Sequence, residues 1–435
     1  MARAGGTSIA VAIVLAMACA PGVRAETLGS ELTRFLHDDA VATVHLRSFF
    51  LDRTDPRPPN NRAWAGGGWL GYESGWLFDT LQVGAVGYTT QPLWAPAGMG
   101  GTLALKHDQS GFWTLGQAYA SVKVRDQIFT GYRQLIDELE VNPHDNRMVP
   151  NTFEAYALRG KVGGVTYFAG YVAAMKARDD TGFTNMAKRA GAINTNAGMA
   201  LASLKYGSLD TLRLRASAYR VPDVLTSSYG DIVRTFAVGD TLRLRVSGQA
   251  MVQGSETLSN RRGPLTGMLT GTGNGFTTWA AGGRGDILWG PAALWGAYTQ
   301  TGSGAPWRSP YGQWLGFTHQ MTRNFNAANE RAVQAGASYD LAGIGLSGLQ
   351  VLASATFGDG ALNATTGAAL ATSNEYDVDV NYRLAALAVP DWLKPLQLRG
   401  RYGHADQRLN GVTATTDEFR LMLNYEISFK GPGRR

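Results

Sequence analysis

The chain reads as all-β, a transmembrane antiparallel barrel of about 18 strands, and three observations carry that prediction. The first is composition. Gly 55, 10% aromatic residues, only 17% charged residues and a mean hydropathy of -0.14 suit many short strands and turns. A helical membrane span would need about 20 consecutive apolar residues. The second is periodicity: segments of about ten residues alternate polar and apolar side chains, as lipid-facing and lumen-facing positions must. The third is a rhythm in the connections, short then long, repeated along the chain.

Taken in order, the one long apolar run is Ile9–Ala20, IAVAIVLAMACA. It is short for a span, follows Arg3, and precedes the small-residue pattern Val23-Arg24-Ala25. Residues 1–25 are therefore expected to be a cleaved signal peptide, with 26–435 forming a single barrel domain. Cys19 is the only cysteine and lies inside that segment, so the mature chain has no thiol or disulfide chemistry. Losing two arginines and no acid lowers the formal net charge from +6 to +4, too little and too dispersed to argue for nucleic acid.

Strands are expected near Val41–Phe50, Trp64–Ser74, Leu77–Tyr88, Phe112–Val124, Gln127–Arg133, Thr152–Lys161, Gly164–Lys176, Ala197–Tyr206 and Leu209–Arg220. The second half supplies Tyr229–Val238, Thr241–Val252, Phe276–Trp289, Ala292–Thr301, Glu330–Asp340, Leu346–Phe357, Glu375–Leu384, Leu396–His404 and Glu418–Phe429. Tight turns such as Ser74–Leu77, Lys161–Gly164, Tyr206–Leu209 and Val238–Thr241 alternate with seven long loops, among them Thr89–Gly111, Gln134–Asn151, Ala177–Asn196 and Gly302–Asn329. Short turns on one side and long loops on the other describe an outer-membrane barrel, closed because no backbone edge can stay unpaired in lipid.

Alternation also assigns faces. Leu212 and Leu214 alternate with Arg213 and Arg215; Leu242, Leu244 and Val246 alternate with Arg243 and Arg245. Leu396 and Leu398 alternate with Arg399 and Arg401; Phe419 and Leu421 flank Arg420. An arginine facing lipid at the bilayer midplane costs about 2–4 kcal/mol. These arginines are therefore expected to face a polar lumen as a basic wall along a substrate pathway. Glu375, Asp377 and Asp379 occupy the same face of another strand. The stretch 134–151 carries Asp137, Glu138 and Glu140, then turns through Asn142-Pro143-His144-Asp145-Asn146, and it is expected to fold inward as a constriction loop.

With these residues placed, the chain resembles the OprD family of substrate-specific outer-membrane porins. RFLHDDAVATVHLRSFFLDR (Arg34–Arg53) is similar to that family's opening turn and first strand, and AWAGGGWLGYESGW (Ala63–Trp76) to its second strand. DNRMVPNTFEAY (Asp145–Tyr156) resembles the exit from its third external loop, and DEFRLMLNYEISF (Asp417–Phe429) its closing strand. Asp223-Val224-Leu225 with Tyr229-Gly230 is a weaker match. The resemblance implies an 18-stranded barrel narrowed by its third loop, with basic side chains guiding small carboxylate-bearing or otherwise polar solutes. The loop positions Asp145, Arg147, Met148, Pro150 and Phe153 carry over individually; the basic wall does not. The tail Lys430–Arg435 departs from the pattern, since such barrels usually end on the aromatic residue, here Phe429.

The functional expectation is an outer-membrane porin giving diffusive uptake of small hydrophilic solutes, anionic or carboxylate-bearing ones favoured. Arginine suits that task because its guanidinium binds carboxylate through paired hydrogen bonds and keeps its charge. Within transport the alternative is neutral sugars; outside it, an adhesive or structural barrel, or a barrel hydrolase. Six scattered histidines lack metal-ligand spacing, no G-x-S-x-G elbow surrounds a serine, and Gly271–Gly275 lacks the helix that a phosphate cradle needs. No cofactor is expected. Partners would be the solute, outer-membrane lipid and lipopolysaccharide, and the barrel-assembly machinery, with the protein a monomer or a weak homo-oligomer. Within the loop, Asp145 and Arg147 are expected as anchors, and Asp137, Glu138 and Glu140 as the groups facing the solute. Arg213 and Arg243 are expected to matter more to anion preference than Arg147.

Overall fold

In the computed structural model, residues 25–56, 60–192, 195–256 and 275–433 are described. The expected signal peptide, most of Gly271–Gly275 and the last two residues lie outside them. One antiparallel sheet contains 19 strand segments. The two-residue segment Thr184–Asn185 lies in a loop and pairs only with Ala174 and Met175 at the end of one wall strand, so 18 strands make the wall.

The chain starts with helix α1 (Ala25–Thr33), prolonged by a wider π turn (Arg34–Asp38). The wall strands are β1 (Val41–Thr54), β2 (Asn61–Glu73), β3 (Leu81–Trp94), β4 (Phe112–Val124), β5 (Gln127–Gln134) and β6 (Thr152–Val162). Next come β7 (Val165–Lys176), β8 (Met199–Gly207), β9 (Leu212–Val221), β10 (Leu225–Ala237), β11 (Leu242–Gly254) and β12 (Thr277–Trp289). The last six are β13 (Ala292–Thr301), β14 (Arg331–Asp340), β15 (Leu349–Asp359), β16 (Thr372–Arg383), β17 (Leu396–Leu409) and β18 (Val412–Lys430). Each pairs with its neighbours in sequence, and β1 closes on β18 from Val41↔Lys430 to Thr54↔Asp417. Closure leaves no lipid-facing edge.

The alternation works as physics requires. Along β9, Leu214, Ala216 and Ala218 are exposed while Ser217, Tyr219 and Val221 are buried. Outward Leu46, Leu70, Leu204, Ile232, Val246, Ile287, Val333 and Leu421 form the apolar belt that lipid covers. The termini share the end that carries the tight turns, which is the periplasmic end by the barrel rule. There Phe35 packs on Leu77 and Leu81, joining α1 to the first turn. The tail continues the seam: the Gly431 N–H donates to the Ala40 carbonyl at 2.9 Å and the Gly433 N–H to that of Asp38 at 2.8 Å.

Two connections on the loop side depart from the expected length contrast. The gaps anticipated after Arg220 and after His404 shrink to residues 222–224 and 410–411. In the second, Asn410 at φ 51 and Gly411 at φ 80 form a tight turn with both central residues left-handed, the geometry that matches strand twist. On the periplasmic side, 341–348 and 384–395 are longer than tight turns and hold short 3₁₀ segments.

The core sits inside the barrel and is made by loops. L2 (95–111), L3 (135–151), the described parts of L4 (177–192 and 195–198) and L7 (302–330) fold into the lumen. Ile136 and Val141 of L3 pack with Phe153, with Met186 of the short helix α2 (Met186–Arg189) in L4, and with Tyr311 of L7. Met148 and Val149 pack with Leu105 of L2 and Phe49 of β1. Leu139 joins Trp307, Trp314 and Tyr229. Each such side chain taken from water contributes roughly 1.5–3 kcal/mol, enough to hold a loop that would otherwise be solvated.

Candidate functional site: a constriction between two inward loops

L3 leaves β5 after Gln134 and crosses the lumen in a chain of specific contacts. Near its start, Glu138 forms an ion pair with Lys205 of β8 at 2.8 Å, and the Asp137 carbonyl accepts from the same ammonium at 2.9 Å. Glu140 then accepts from the Ser227 hydroxyl of β10 at 2.7 Å. Beyond the turn, Asp145 takes both terminal nitrogens of Arg47 of β1, at 2.5 and 3.1 Å. β1 and β10 stand half-way around the sheet from each other, so the loop straddles the channel. Leu139 (φ 55) and His144 (φ 46) adopt left-handed backbone that side chains disfavour, a cost the surrounding packing must offset.

The exit of L3 is fixed as firmly. Arg147 donates to the carbonyls of Thr102 and Asn146, both at 2.9 Å, and the fully buried Lys176 donates to those of Pro150 and Ala177. Arg47 is itself stacked near the Trp69 ring, 5.1 Å from its centroid, and donates to Asn424. Asp145 thus ties the loop to the wall, while Arg147 both ties it and reaches the open space beside it.

L7 closes from the opposite side. The N–H groups of Met321, Thr322 and Arg323 donate to Asp377 and Glu375 of β16 at 2.8, 2.6 and 2.7 Å. Gln313 N–H donates to the Asn142 side chain of L3 at 3.0 Å, and Asn142 N–H to the Tyr311 carbonyl, so the two loops brace each other. From sequence alone L7 is a long loop and nothing more. Its signal was composition: Trp307, Tyr311, Trp314, Phe317 and Phe325 in one connection are too apolar for a solvated surface.

Between L3, L4 and L7 lies a cavity of ≈ 550 Å³. Arg147, Arg178, Arg189, Arg308 and Arg420 line it with His144, His319, Trp307 and Trp314, and among the described residues no aspartate or glutamate does. Burial, then Arg178 and Arg147, push the His144 imidazole down to about 3; burial, then Arg401 and Arg420, push His319 down to about 4. Both are neutral hydrogen-bonding groups at neutral pH. Burial and the neighbouring Arg420 and Arg178 also work against the Arg147 charge, but a guanidinium stays protonated inside proteins. What the cavity offers is fixed positive charge.

The seven wall arginines divide into two groups. Arg399, Arg401 and Arg420 lie at the seam of β17 and β18. Arg401 and Arg420 are directly opposed across the strands, an arrangement of like charges that destabilises a sheet. Asp379 pairs with Arg401 at 3.0 Å and with Arg399; Glu418 pairs with Arg420, which also donates to the Met321 carbonyl at 3.1 Å. Arg213 and Arg215 share Asp231, at 3.4 and 2.6 Å. Arg243 meets Asp210 of the adjacent periplasmic turn at 3.2 Å, and Arg245 donates to the Thr235 hydroxyl at 3.2 Å. This second group sits near the periplasmic ends of its strands, below the loops.

Three expectations for the loop need restating. Glu140 does not face the channel: it is 7% exposed, wedged between L3 and the wall. Glu138 is occupied by Lys205, which leaves Asp137 as the exposed acid of the three. Arg147, read from sequence as an anchor, also lines the cavity. The acids Asp377 and Glu375, which looked like lumen lining, hold L7. Among the described residues there is no group of three or more His, Cys, Asp or Glu side chains able to hold a metal ion.

The comparisons agree with this architecture. A structure similar over 90% of this chain and 99% of its own is a BenF-like porin from Pseudomonas fluorescens Pf-5, at 18% identity and a TM-score of 0.78. OccK9 (OpdG) of Pseudomonas aeruginosa matches over the same shares at 22% identity and a TM-score of 0.77. OpdK of Pseudomonas aeruginosa, crystallised with vanillate, matches at 21% identity, 90% and 99% coverage and a TM-score of 0.74. A search of curated protein sequences returned no match. The family profile described as outer membrane porin, OprD family, covers residues 34–429, so this chain belongs to the OprD family of bacterial outer-membrane porins.

Proposed function

We propose that this porin favours small anionic solutes, carboxylates among them, and that selection occurs where L3 and L7 meet. The observation that carries the proposal is the ≈ 550 Å³ cavity with five arginines and, among the described residues, no acid in its lining. A carboxylate entering it finds planar donors able to take both oxygens. Arg401 and Arg399 continue the cationic track toward the periplasm from Arg420. Because each of these arginines has a carboxylate partner on the wall, the binding they offer a solute is moderated, and a conducted solute must be able to leave. The OpdK structure with vanillate, itself a carboxylate, supports the same chemistry in a structural neighbour.

A second reading has its own observation. Trp307 and Trp314, with ring centroids 5.6 Å apart, give the cavity an aromatic side on which a neutral sugar ring would stack. One experiment separates the two. Purified protein in planar bilayers under a KCl gradient should show a reversal potential biased toward chloride, and benzoate added to one side should interrupt the current. Cation preference, or block by maltose and not by benzoate, would reject the anionic reading.

A further inference from the structure

Two carboxylates stand two residues apart in L3 and are treated in opposite ways. Glu138 has the Lys205 ammonium. Among the described residues Glu140 has no ion-pair partner: one oxygen accepts from Ser227, and the other is buried with no hydrogen-bond partner. From β9 the Tyr219 phenol faces it, and Tyr311 of L7 stands edge-on to Tyr219 at 5.4 Å. From β11, the Gln253 amide donates to the Tyr219 hydroxyl at 3.3 Å. Arg308 faces the two tyrosines and donates to the Ala190 carbonyl at 2.7 Å. Leu139 and Val141 stand beside it on L3, and further along β10 the Tyr229 hydroxyl donates to Asp231, which is itself paired with Arg213 and Arg215. A charge so placed is strongly disfavoured, and a carboxyl in such a site takes up a proton.

We propose that Glu140 is a positioning residue for the constriction: as a neutral acid it latches L3 to the β9–β10 wall, and its ionisation frees the loop tip and makes the channel gate. Only the tip is released, because the two-pronged Asp145–Arg47 pair and the Arg147 bonds to the Thr102 and Asn146 carbonyls hold the far arm. The left-handed backbone at Leu139 relaxes when it lets go.

The direction of the pH effect follows from linkage. Burial pushes the Glu140 carboxyl from 4.5 up to about 7, with the Ser227 hydrogen bond pulling the other way. The docked loop therefore holds its proton more tightly than the free loop. Docking is fully favoured below the free value near 4.5 and is lost as pH rises through about 7. That gap corresponds to roughly two orders of magnitude in the docking equilibrium.

The test is single-channel recording from about pH 5 to about pH 9 on the wild type, Glu140→Gln and Glu140→Met, with heat-shifted gel mobility as the check for a folded barrel. His144 and His319 do not titrate in that window. Closing transitions of the wild type should become about tenfold more frequent across the window, whereas both variants stay equally quiet at every pH. A flat wild-type profile overturns the proposal, and so does a Gln variant that keeps the wild-type profile. Should neither variant insert, Ser227→Ala takes their place. It removes a hydrogen bond that favours the ionised form, so the transition must move to higher pH, and an unmoved transition overturns the latch. The readout is transition frequency, so it stands or falls independently of which ion the pore prefers.

Discussion

Two rows of arginine line the same lumen, and they differ in what surrounds them. At β9–β11, Arg213 and Arg215 converge on one buried aspartate, and Arg243 reaches a periplasmic turn where both it and Asp210 are largely in water. At β17–β18, Arg401 and Arg420 are set directly against each other, and Arg420 enters the cavity where L3, L4 and L7 converge. Alternation assigns both rows to the lumen, so facing inward is a property of the strand and not of a site. Charge acts on a passing solute where the channel narrows and water is scarce, because there the field is least screened. The lesson is that the loops select which arginines matter.

The largest effect is expected at the β17–β18 seam. Replacing Arg401 and Arg420 together by Ala should lower the anion-to-cation permeability ratio about thirtyfold, since each cation beside an anion in water is worth about 1 kcal/mol and two are lost. A reversal-potential measurement decides it, and an unchanged ratio would mean that ions do not pass the cavity. Next in size is the tether that holds the constriction at β1. Asp145→Asn loses a two-pronged bond to Arg47, whose side chain is 5% exposed, while Asp145 itself is 36% exposed. After discounting for that exposure, the loss should be about 1–2 kcal/mol. It would be read as a lower temperature for the heat-induced mobility shift, with larger and noisier open currents. The smallest effect belongs to Arg243→Ala. The pair is 50% and 78% exposed, so stability should fall by less than about 1 kcal/mol and ion preference should stay put. If Arg243→Ala changes selectivity as much as the seam double variant does, the narrow part of the channel lies below L3 and L7.

Much of the barrel was legible residue by residue. The period-two pattern of Leu212 to Tyr219 and of Phe419 to Phe429 names both the lipid face and the lumen face, because an arginine on the wrong side costs too much in lipid. The ends of strands were harder to read. Asn410-Gly411 is a two-residue turn signal, yet the polar residues on its flanks, Asp406 to Arg408 and Thr413 to Asp417, look like loop when they are strand. The inward fold of L7 was hinted at only by its tryptophans.

The class of fold, the faces of the strands, the stretch that becomes L3 and the family are all legible without coordinates. All of these are written in local order and spacing, which lipid and backbone hydrogen bonding translate directly into structure. Tertiary structure decided which charges are free, which are neutralised and which are hidden. Glu138 and Glu140 are the same residue type two positions apart, but one meets Lys205 and the other Ser227, from strands more than sixty residues away in the chain. Chemistry at the constriction is set by such distant partners, and a charge acquires its role only when folding chooses its neighbour.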